Sequence, residues 1–398
     1  MFEALQAFMD ALTAWRIPGN SASVCVDGKE VFRCRSGFRC VEQQIPMDGS
    51  ERFFIFSCSK IATVTAALQL YERGYFLLDD PLYDILPEYR RMAVRASDGT
   101  LRETKTPVTL RHLFTMTAGL TYDAGTLAFE KARRITGGKM QTREVIRCLA
   151  EDPLSFEPGT RWQYSLCHDV LACVVEVVSG MRFADYMQKH LFDPLGMTRT
   201  GYHPESAQSE IAELYHFRNS DETRLADQQA AGAVLNQADG VLENVGKRNP
   251  DIYGEAYDSG GSGVITTVGD YSRLCAALAC GGYSAVTGAH ILSPGTVELL
   301  HTNQLSPAQA ASMHWEQLRG YGYGLGVRTM IDKARSGSVG PVGEFGWGGA
   351  AGATALMDTQ NRVSLFYTHH MLNPQESYYQ PRLRNVLYGC LKETRHSI

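Results

Sequence analysis

A serine and a lysine three residues apart are the first residues of this sequence whose types and spacing could do chemistry. They are Ser57 and Lys60 in the stretch FFIFSCSK. Residues three apart on a helix are neighbours on one face, with Cβ atoms about 5–6 Å apart. A serine hydroxyl needs a base within hydrogen-bond reach to become a good nucleophile. Lys60 is such a base if burial lowers the pKa of its ammonium group.

The same two residues also have a purely structural interpretation. Serine is a preferred N-cap, so Ser57 could cap a helix while Lys60 points to solvent. About one S-x-x-K match is expected by chance in a chain of this length. The order of strand, serine and helix favours catalysis, because it presents the hydroxyl at the end of a strand.

The elements around the serine can be read from the residue pattern. An amphipathic helix is predicted at about 2–15, and two β-rich runs flank Asp27-Gly28, which is a hairpin signal. A third strand-like run, from Arg52 to Phe56, ends at the serine. The following SKIATVTAALQLYERG has a helical period that ends at Gly74.

Short helices and polar loops dominate the middle of the chain, and β-rich runs return near its end before a closing helix. Strands at both ends with helices between them predict one α/β sheet domain interrupted by a helical insertion. The sheet domain is assigned to residues 1–74 and 258–398, and the mainly helical domain to residues 75–257. The active site is expected in the cleft between them.

Composition and charge narrow the possible partners. The 398 residues are 44% hydrophobic and carry a net charge of −5, which disfavours a nucleic acid partner because such binding needs clustered Lys and Arg. No apolar run is long enough to span a bilayer. The N-terminus carries Glu3 and Asp10 instead of a basic leader, so it does not read as a signal peptide.

The ten cysteines include no C-x-x-C pair and no Cys/His cluster at zinc spacing. This pattern predicts reduced thiols, no metal site and a cytoplasmic location. His369 and His370 lack carboxylate or cysteine neighbours at metal spacing, and no cofactor is expected. The predicted partner is a small molecule, an acyl ester or amide.

Several phrases, in this order, make the chain resemble the serine β-lactamase and penicillin-binding-protein superfamily. They are FSCSK, VTLRHLFTMTAGL, FEPGTRWQYS, LFDPLGMTRT, SGGSGVITTVGDYSRL and FGWGGAAG. Within the superfamily the chain is most similar to class C β-lactamases and family VIII carboxylesterases. The resemblance implies an α/β (α+β) fold of the β-lactamase/transpeptidase type. In that fold an antiparallel sheet is flanked by the N- and C-terminal helices and carries an all-helical insertion domain.

The resemblance also implies roles for three side chains. Ser57 would be the nucleophile and Lys60 its base partner. Tyr164, the first residue of the second motif, would help to deprotonate the serine and then protonate the leaving group. Alone, Tyr164 would be read as a half-buried aromatic with a satisfied hydroxyl.

The third motif implies the shape of the cleft edge. Trp347, Gly348 and Gly349 would line an edge strand, where glycines allow a ligand to approach the backbone closely. The resemblance places the oxyanion hole at the backbone N–H groups of Ser57 and Ala350. Because backbone donors do not depend on the side chain, an alanine at position 350 suits this role.

Two departures from the β-lactamase motifs bear on the substrate. The second motif, usually Tyr-x-Asn, reads YSL at 164–166, and the third, usually Lys-Thr-Gly, reads WGG at 347–349, as in family VIII esterases. Leu166 cannot hold a substrate amide, and Trp347 offers no charge to a carboxylate. Losing a charge-assisted contact costs about 1.5–3 kcal/mol. Anionic β-lactams and D-Ala-D-Ala peptides are therefore predicted to be poor substrates.

Further residues are candidates for contact with the substrate or the catalytic tyrosine. Tyr122 and Phe345 would join Trp347 in an apolar acyl pocket, although aromatic residues are more often part of the core. His168 follows Tyr164 by about one helical turn and could orient it, although a lone histidine is more often structural.

The sequence thus predicts a serine hydrolase that acts through an acyl-enzyme on Ser57. A carboxylesterase for small or hydrophobic acyl esters fits best, with acyltransferase activity if an alcohol or amine replaces water. One alternative is a β-lactamase or D-amino-acid peptidase. Another is a non-catalytic binding protein of the same fold. An α/β-hydrolase is disfavoured because the G-x-S-x-G elbow is absent.

Overall fold

A computed structural model describes residues 2–14, 17–203, 209–219 and 240–391 of the chain. The α-helices in these ranges are α1 (Glu3–Ala14), α2 (Ser59–Glu72), α3 (Leu110–Phe114), α4 (Leu127–Ile135), α5 (Thr142–Leu149), α6 (Cys167–Ser179), α7 (Phe183–Met187), α8 (Val268–Ala279), α9 (Pro294–His301), α10 (Pro307–Ala310), α11 (Lys333–Ser336) and α12 (Glu376–Leu391). The strands are β1 (Gly19–Val26), β2 (Lys29–Cys40), β3 (Ile45–Pro46), β4 (Phe53–Phe54), β5 (Ala93–Arg95), β6 (Leu101–Glu103), β7 (Leu214–Asn219), β8 (Gly240–Gly246), β9 (Ile265–Thr266), β10 (Tyr321–Tyr323), β11 (Arg328–Met330), β12 (Phe345–Gly348), β13 (Thr354–Asp358), β14 (Val363–His369) and β15 (Met371–Leu372).

The largest sheet has eight antiparallel strands in the order β10-β11-β12-β13-β14-β1-β2-β3. β1 pairs with β14 on one side and with β2 on the other, so strands from both ends of the chain meet inside the sheet. The β1–β2 hairpin turns at Asp27 and Gly28, whose φ angles are 50° and 76°. An Asp-Gly pair tolerates positive φ at both positions, and the predicted hairpin is confirmed.

The first and last helices cover one face of this sheet. Leu5 and Met9 of α1 share a buried cluster with Leu383 and Leu387 of α12 and with sheet residues such as Leu365. The predicted helix at 2–15 is α1, although Trp15 lies outside the described residues. The sheet flanked by N- and C-terminal helices confirms the predicted fold class.

The opposite face of the sheet packs against α8 and α2. Phe366 of β14 lies 4.5 Å from Tyr271 of α8, measured between ring centroids. On its other side α2 contacts α6, and residues 167–175 of α6 are all buried. A helix such as α6, which is apolar around most of its circumference, is expected in the interior of a protein. α2 therefore connects the sheet to the helical part of the molecule.

The segment 75–257 is less purely helical than the sequence predicted. It contains the β5–β6 hairpin, which turns at Gly99, and the β7–β8 pair, whose β7 runs parallel to β15. The proposed domain boundaries at 74/75 and 257/258 stay a prediction. Among the described helices none combines the length and the apolar character that crossing a bilayer requires.

Candidate active site

Ser57 lies just before α2, but the strand in front of it is shorter than predicted. β4 ends at Phe54, and residues 56–58 form a 3-10 turn that leads directly into the helix. Phe56 has a φ of 46°, a left-handed conformation that costs a non-glycine residue about 1–3 kcal/mol. This change of backbone direction ends the strand two residues before its predicted end at Phe56. It makes Ser57 the one partly exposed residue in a buried run from Phe53 to Lys60.

Lys60 is fully buried within one helical turn of the serine. Its ammonium group donates hydrogen bonds to Ser57 Oγ at 3.1 Å, to Tyr122 Oη at 3.2 Å and to the Gly261 carbonyl oxygen at 2.9 Å. An ammonium group has three donors, and all three are used. Its partners among the described residues are neutral oxygen atoms, one of which belongs to the candidate nucleophile.

The pKa of Lys60 is shifted in the direction opposite to the one expected from the sequence. Burial lowers the pKa, but Tyr122, Tyr164 and Asp169 outweigh burial and raise it above the ordinary value. The expectation of a lowered pKa is therefore wrong, because it counted burial without the oxygen atoms around the group. Lys60 is an ammonium ion that holds a positive charge beside Ser57 Oγ.

Tyr164 lies on the cleft side of Lys60. The centroid of its ring is 4.6 Å from Lys60 Nζ, and its hydroxyl accepts a hydrogen bond from Trp347 Nε1 at 3.1 Å. Tyr164 and Ser57 line the same cleft, although they do not hydrogen-bond each other. The structure thus brings the three predicted catalytic side chains together around one ammonium group.

Tyr122 has a different place from the predicted acyl pocket. Its hydroxyl contacts Lys60, and its ring stacks on Tyr164 with 5.5 Å between centroids. It does not belong to the cleft lining. Burial raises the pKa of Tyr122, so its phenol keeps its proton. The Tyr122 side chain therefore accepts a hydrogen bond from Lys60 on the side away from the cleft. The prediction that Tyr122 lines an acyl pocket is corrected.

The turn after β12 forms the cleft edge beside the serine. A Cβ atom at position 349 would lie 2.1 Å from the Ile55 carbonyl oxygen, so only glycine lets this turn approach the Ser57 segment. Gly348, Gly349 and Ala350 line the cleft together with Ser57. Neither the Ser57 nor the Ala350 amide donates to another described backbone group. Two available N–H groups beside a nucleophile are what an oxyanion hole requires.

The cleft has a volume of about 160 Å³ and one aromatic side. That side consists of Tyr164, Trp347 and Trp315. The cleft is also lined by Glu376 and Gln380 of α12. Trp315, Glu376 and Gln380 were not predicted from the sequence. The one signal in the sequence is a tryptophan in the polar segment SMHWEQL, where an apolar ring has no obvious core to enter.

Leu166 and Phe345 lie in the core instead of the cleft. Leu166 is 1% exposed at the start of α6, and Phe345 is fully buried. The ring of Phe345 stacks on His301 with 4.7 Å between centroids. Each residue is two positions from a side chain that reaches the cleft, Tyr164 and Trp347 respectively, but lies deeper. Their prediction as substrate contacts is therefore corrected.

His168 does not orient the tyrosine. It is fully buried, and its Nε2 lies 3.4 Å from the carbonyl oxygen of Phe114. Burial lowers the pKa of His168 to about 3, so the imidazole is neutral. The predicted supporting role is corrected to that of a core histidine.

A glycine-containing loop closes the site below Lys60. Asp169 Oδ1 accepts a hydrogen bond from Ser259 Oγ at 2.8 Å and so fixes this loop on α6. A Cβ atom at Gly260 would approach the α6 backbone to 2.3 Å, so a larger residue does not fit. The loop then offers the Gly261 carbonyl oxygen to Lys60. SGGSG was part of a phrase that carried the family resemblance. The hydrogen bond from Lys60 to its Gly261 carbonyl oxygen was not predicted.

Metal ligands are not grouped in the described parts of the chain. No three His, Cys, Asp or Glu side chains among residues 2–14, 17–203, 209–219 and 240–391 come together in a possible metal site. The chemistry described here uses the chain's own hydroxyl, ammonium and amide groups.

The family of the chain follows from its similarity to known proteins. The model of the beta-lactamase family matches residues 3–387, and the chain belongs to this family. Esterase EstB of Burkholderia gladioli is 30% identical to it over 88% of this chain and 85% of that protein. Lovastatin esterase of Penicillium rubens is 27% identical over 86% of this chain and 87% of that protein.

A solved structure supports the fold independently. The protein described as "EstCE1, a hydrolase with promiscuous acyltransferase activity" superposes with a TM-score of 0.75 at 24% identity, covering 97% of this chain and 98% of that chain. The family match and the relatives named esterases confirm the predicted resemblance and the predicted class of enzyme, a β-lactamase-related serine hydrolase.

Proposed function

We propose that the chain is a carboxylesterase that forms an acyl-enzyme on Ser57 and passes the acyl group to water or to an alcohol. The observation that carries this proposal is the Lys60 ammonium group 3.1 Å from Ser57 Oγ at an open cleft. The names of relatives that include esterases, and of a structural neighbour with acyltransferase activity, support the same reaction class.

Acylation begins when Ser57 Oγ attacks the carbonyl carbon of the ester. Tyr164 takes the serine proton as a phenolate, whose negative charge the neighbouring Lys60 ammonium group stabilises, since Lys60 is already protonated and acts as a fixed positive charge. The carbonyl oxygen becomes an oxyanion that accepts hydrogen bonds from the Ser57 and Ala350 amides. Removing one such donor typically costs about 2.7–4 kcal/mol of transition-state stabilisation.

The acyl-enzyme forms when the tetrahedral intermediate collapses. The bond between the carbonyl carbon and the alcohol oxygen breaks, and Tyr164 returns its proton to the departing alcohol. Water or a second alcohol then attacks the acyl carbon and gives its proton to Tyr164. The bond between that carbon and Ser57 Oγ breaks, and Tyr164 returns the proton to the serine. The acceptor decides between hydrolysis and acyl transfer.

The walls of the cleft favour esters over β-lactams. Trp347 stands where β-lactam-cleaving relatives carry a lysine, so a substrate carboxylate finds no ammonium group there. The cleft volume of about 160 Å³ suits a short acyl chain. The finer prediction of small or hydrophobic acyl groups therefore belongs to the proposal.

A panel of p-nitrophenyl esters of increasing chain length, with nitrocefin beside it, tests this function. We expect turnover of the short esters to exceed nitrocefin turnover by about 10-fold or more, the effect of losing a charge-assisted contact. Ser57→Ala should abolish ester turnover, whereas Ser50→Ala, at an exposed serine, should not change it. Nitrocefin as the better substrate, or an active Ser57→Ala protein, would overturn the proposal.

A cytoplasmic location stays a prediction. No disulfide joins any of the ten cysteines, all of which lie in described segments. Reduced thiols are the rule in a cytosol, and this supports the location proposed from the sequence.

A further inference from the structure

Three aromatic rings surround one side of the cleft at different angles. The ring of Trp315 lies 5.0 Å from Tyr164 at an interplanar angle of 66°, and 5.9 Å from Trp347 at 41°. Trp315 is 39% exposed, which leaves much of its ring available to a ligand. Faces of aromatic rings carry partial negative charge and attract cations.

A carboxyl group lies at the same side of the cleft. Glu376, in the first turn of α12, lines the cleft together with Trp315. No cation of the described chain forms an ion pair with it, and burial raises the pKa of its carboxyl. A cationic ligand would give this carboxylate the partner that it lacks. Aromatic faces beside an acid are a typical environment for an ammonium group.

The buried cations near the cleft each have at least one partner, although Nε and Nη1 of Arg384 have none in the described structure. Arg328 forms an ion pair with Glu344 at 2.8 Å, and Arg384 donates to the Gln317 carbonyl oxygen at 3.4 Å. Lys60 lies over the inner face of the Tyr164 ring. Arg328 lines the same cleft, but its charge is paired with Glu344, so it leaves the Glu376 carboxyl to a ligand cation.

The proposed chemistry orients the substrate against these rings. Tyr164 protonates the departing alcohol, so the alcohol oxygen must lie close to its hydroxyl. That hydroxyl accepts the hydrogen bond from Trp347 Nε1, and Trp315 lies beside both rings. The alcohol part of the ester therefore extends along Trp347 and Trp315 towards Glu376.

We propose that the preferred substrate is an ester whose alcohol part carries an ammonium group, bound by the rings of Tyr164, Trp315 and Trp347 and by the Glu376 carboxylate. This inference rests on the proposed esterase function and adds the charge of the substrate. Choline esters represent the class, because their quaternary ammonium group follows the ester oxygen after two carbons.

The test compares three acetate esters that differ in charge. We expect kcat/KM for acetylcholine to exceed that for 3,3-dimethylbutyl acetate, its uncharged carbon analogue, by about 10-fold or more, the combined effect of several cation–π contacts and a carboxylate. Acetoxypropanoate, which is anionic, should be the poorest of the three. Arg319 and Arg335 line an adjoining outer cavity that Glu376 also borders, and this third ester measures their influence.

Variants assign the preference to the named groups. Glu376→Gln and Trp315→Leu should each lower the ratio of the first two kcat/KM values by about 3-fold or more. Glu130→Gln, the same change on an exposed residue of α4, should leave the ratio at the wild-type value. Should a variant fail to fold, inhibition of the wild type answers the question, because choline should inhibit more strongly than 3,3-dimethylbutanol.

The possible failures are distinguishable. Equal rates for the cationic and uncharged acetates, or the fastest rate for the anionic ester, would overturn this inference and leave the esterase function standing. No turnover of any ester by the wild type would overturn both.

Discussion

Arg328 lines the cleft and Lys60 lies behind its lining residues Ser57 and Tyr164, and these two buried cations have different surroundings. Arg328 pairs with the Glu344 carboxylate at 2.8 Å and donates to the Ala355 carbonyl oxygen at 3.3 Å. Lys60 donates to neutral oxygen atoms, and the oxygen of Ser57 is one of them. One cation pairs directly with a carboxylate, and the other hydrogen-bonds to neutral oxygen atoms among the described residues.

This difference separates a structural charge from a chemical one. A buried ion pair leaves little net charge, and breaking it by removing one partner is strongly destabilising. A buried ammonium group that faces hydroxyl oxygens can stabilise the negative charge that appears on them during the reaction. Arg328 should therefore matter mainly to stability, and Lys60 mainly to catalysis.

Lys60→Met tests the catalytic half of this comparison and should have the largest effect. We expect kcat/KM for a neutral ester to fall by about 10²–10³-fold, the range for removing one electrostatic stabiliser of a transition state. The melting temperature should change less than in Arg328→Met, because no carboxylate that is hydrogen-bonded to the removed cation is left behind. Retained activity, or a large loss of stability, would break the comparison.

Arg328→Met tests the structural half. Because Glu344 would be left buried and unpaired, we expect a loss of about 3–5 kcal/mol in the free energy of unfolding, measured by urea denaturation. The double variant with Glu344→Gln should recover part of that loss. Folded Arg328→Met protein should keep far more kcat/KM than Lys60→Met. The opposite ranking of the two variants would contradict the assignment.

The histidines add a third kind of buried titratable group, one that is neutral. Burial lowers the pKa of His168 and His369 to about 3. Because the unfolded chain binds protons near pH 6.5, the free energy of unfolding should fall as the pH falls from 6.5 towards 3. Each histidine should contribute about 1.4 kcal/mol per pH unit.

Urea unfolding at pH 7 and pH 5 measures this loss. His168→Gln should reduce the pH dependence, whereas His314→Gln, at an exposed histidine, should leave it as in the wild type. Stability that is equal at the two pH values would show that these imidazoles are not held neutral.

Tyr122→Phe should have the smallest of these effects, and it sharpens the comparison by removing one neutral partner of Lys60. Hydrogen bonds to charged groups contribute about 1.5–3 kcal/mol, so we expect kcat/KM to fall by about one to two orders of magnitude. Tyr323→Phe is the matched control, since the Tyr323 hydroxyl is buried without a hydrogen-bond partner in the described structure. Equal effects of the two changes would mean that the hydroxyl of Tyr122 does not act through Lys60.

The features that were predicted well depend on residues that are close together in the sequence. Ser57 and Lys60 share one helical turn, so their spacing alone brings them together. The β1–β2 hairpin needs a turn that Asp27 and Gly28 allow. Such features need no knowledge of the tertiary structure.

The features that the sequence did not predict depend on distant parts of the chain. Trp315 and Glu376 reach the cleft because a loop and the last helix pack over it. The pKa of Lys60 is raised by Tyr122, Tyr164 and Asp169, all of which are distant from it in the sequence. A position near a motif does not fix where a side chain points, and Phe345 was mispredicted for that reason.

The most direct test of the acyl-enzyme is to locate it. The wild type is mixed with p-nitrophenyl butyrate, quenched with acid within the first turnover and digested for peptide mass spectrometry. We predict the mass of one butyryl group on the peptide that contains Ser57, together with a burst of nitrophenol equal to the enzyme concentration. A butyryl group on any other residue, or full turnover by Ser57→Ala, would contradict the account.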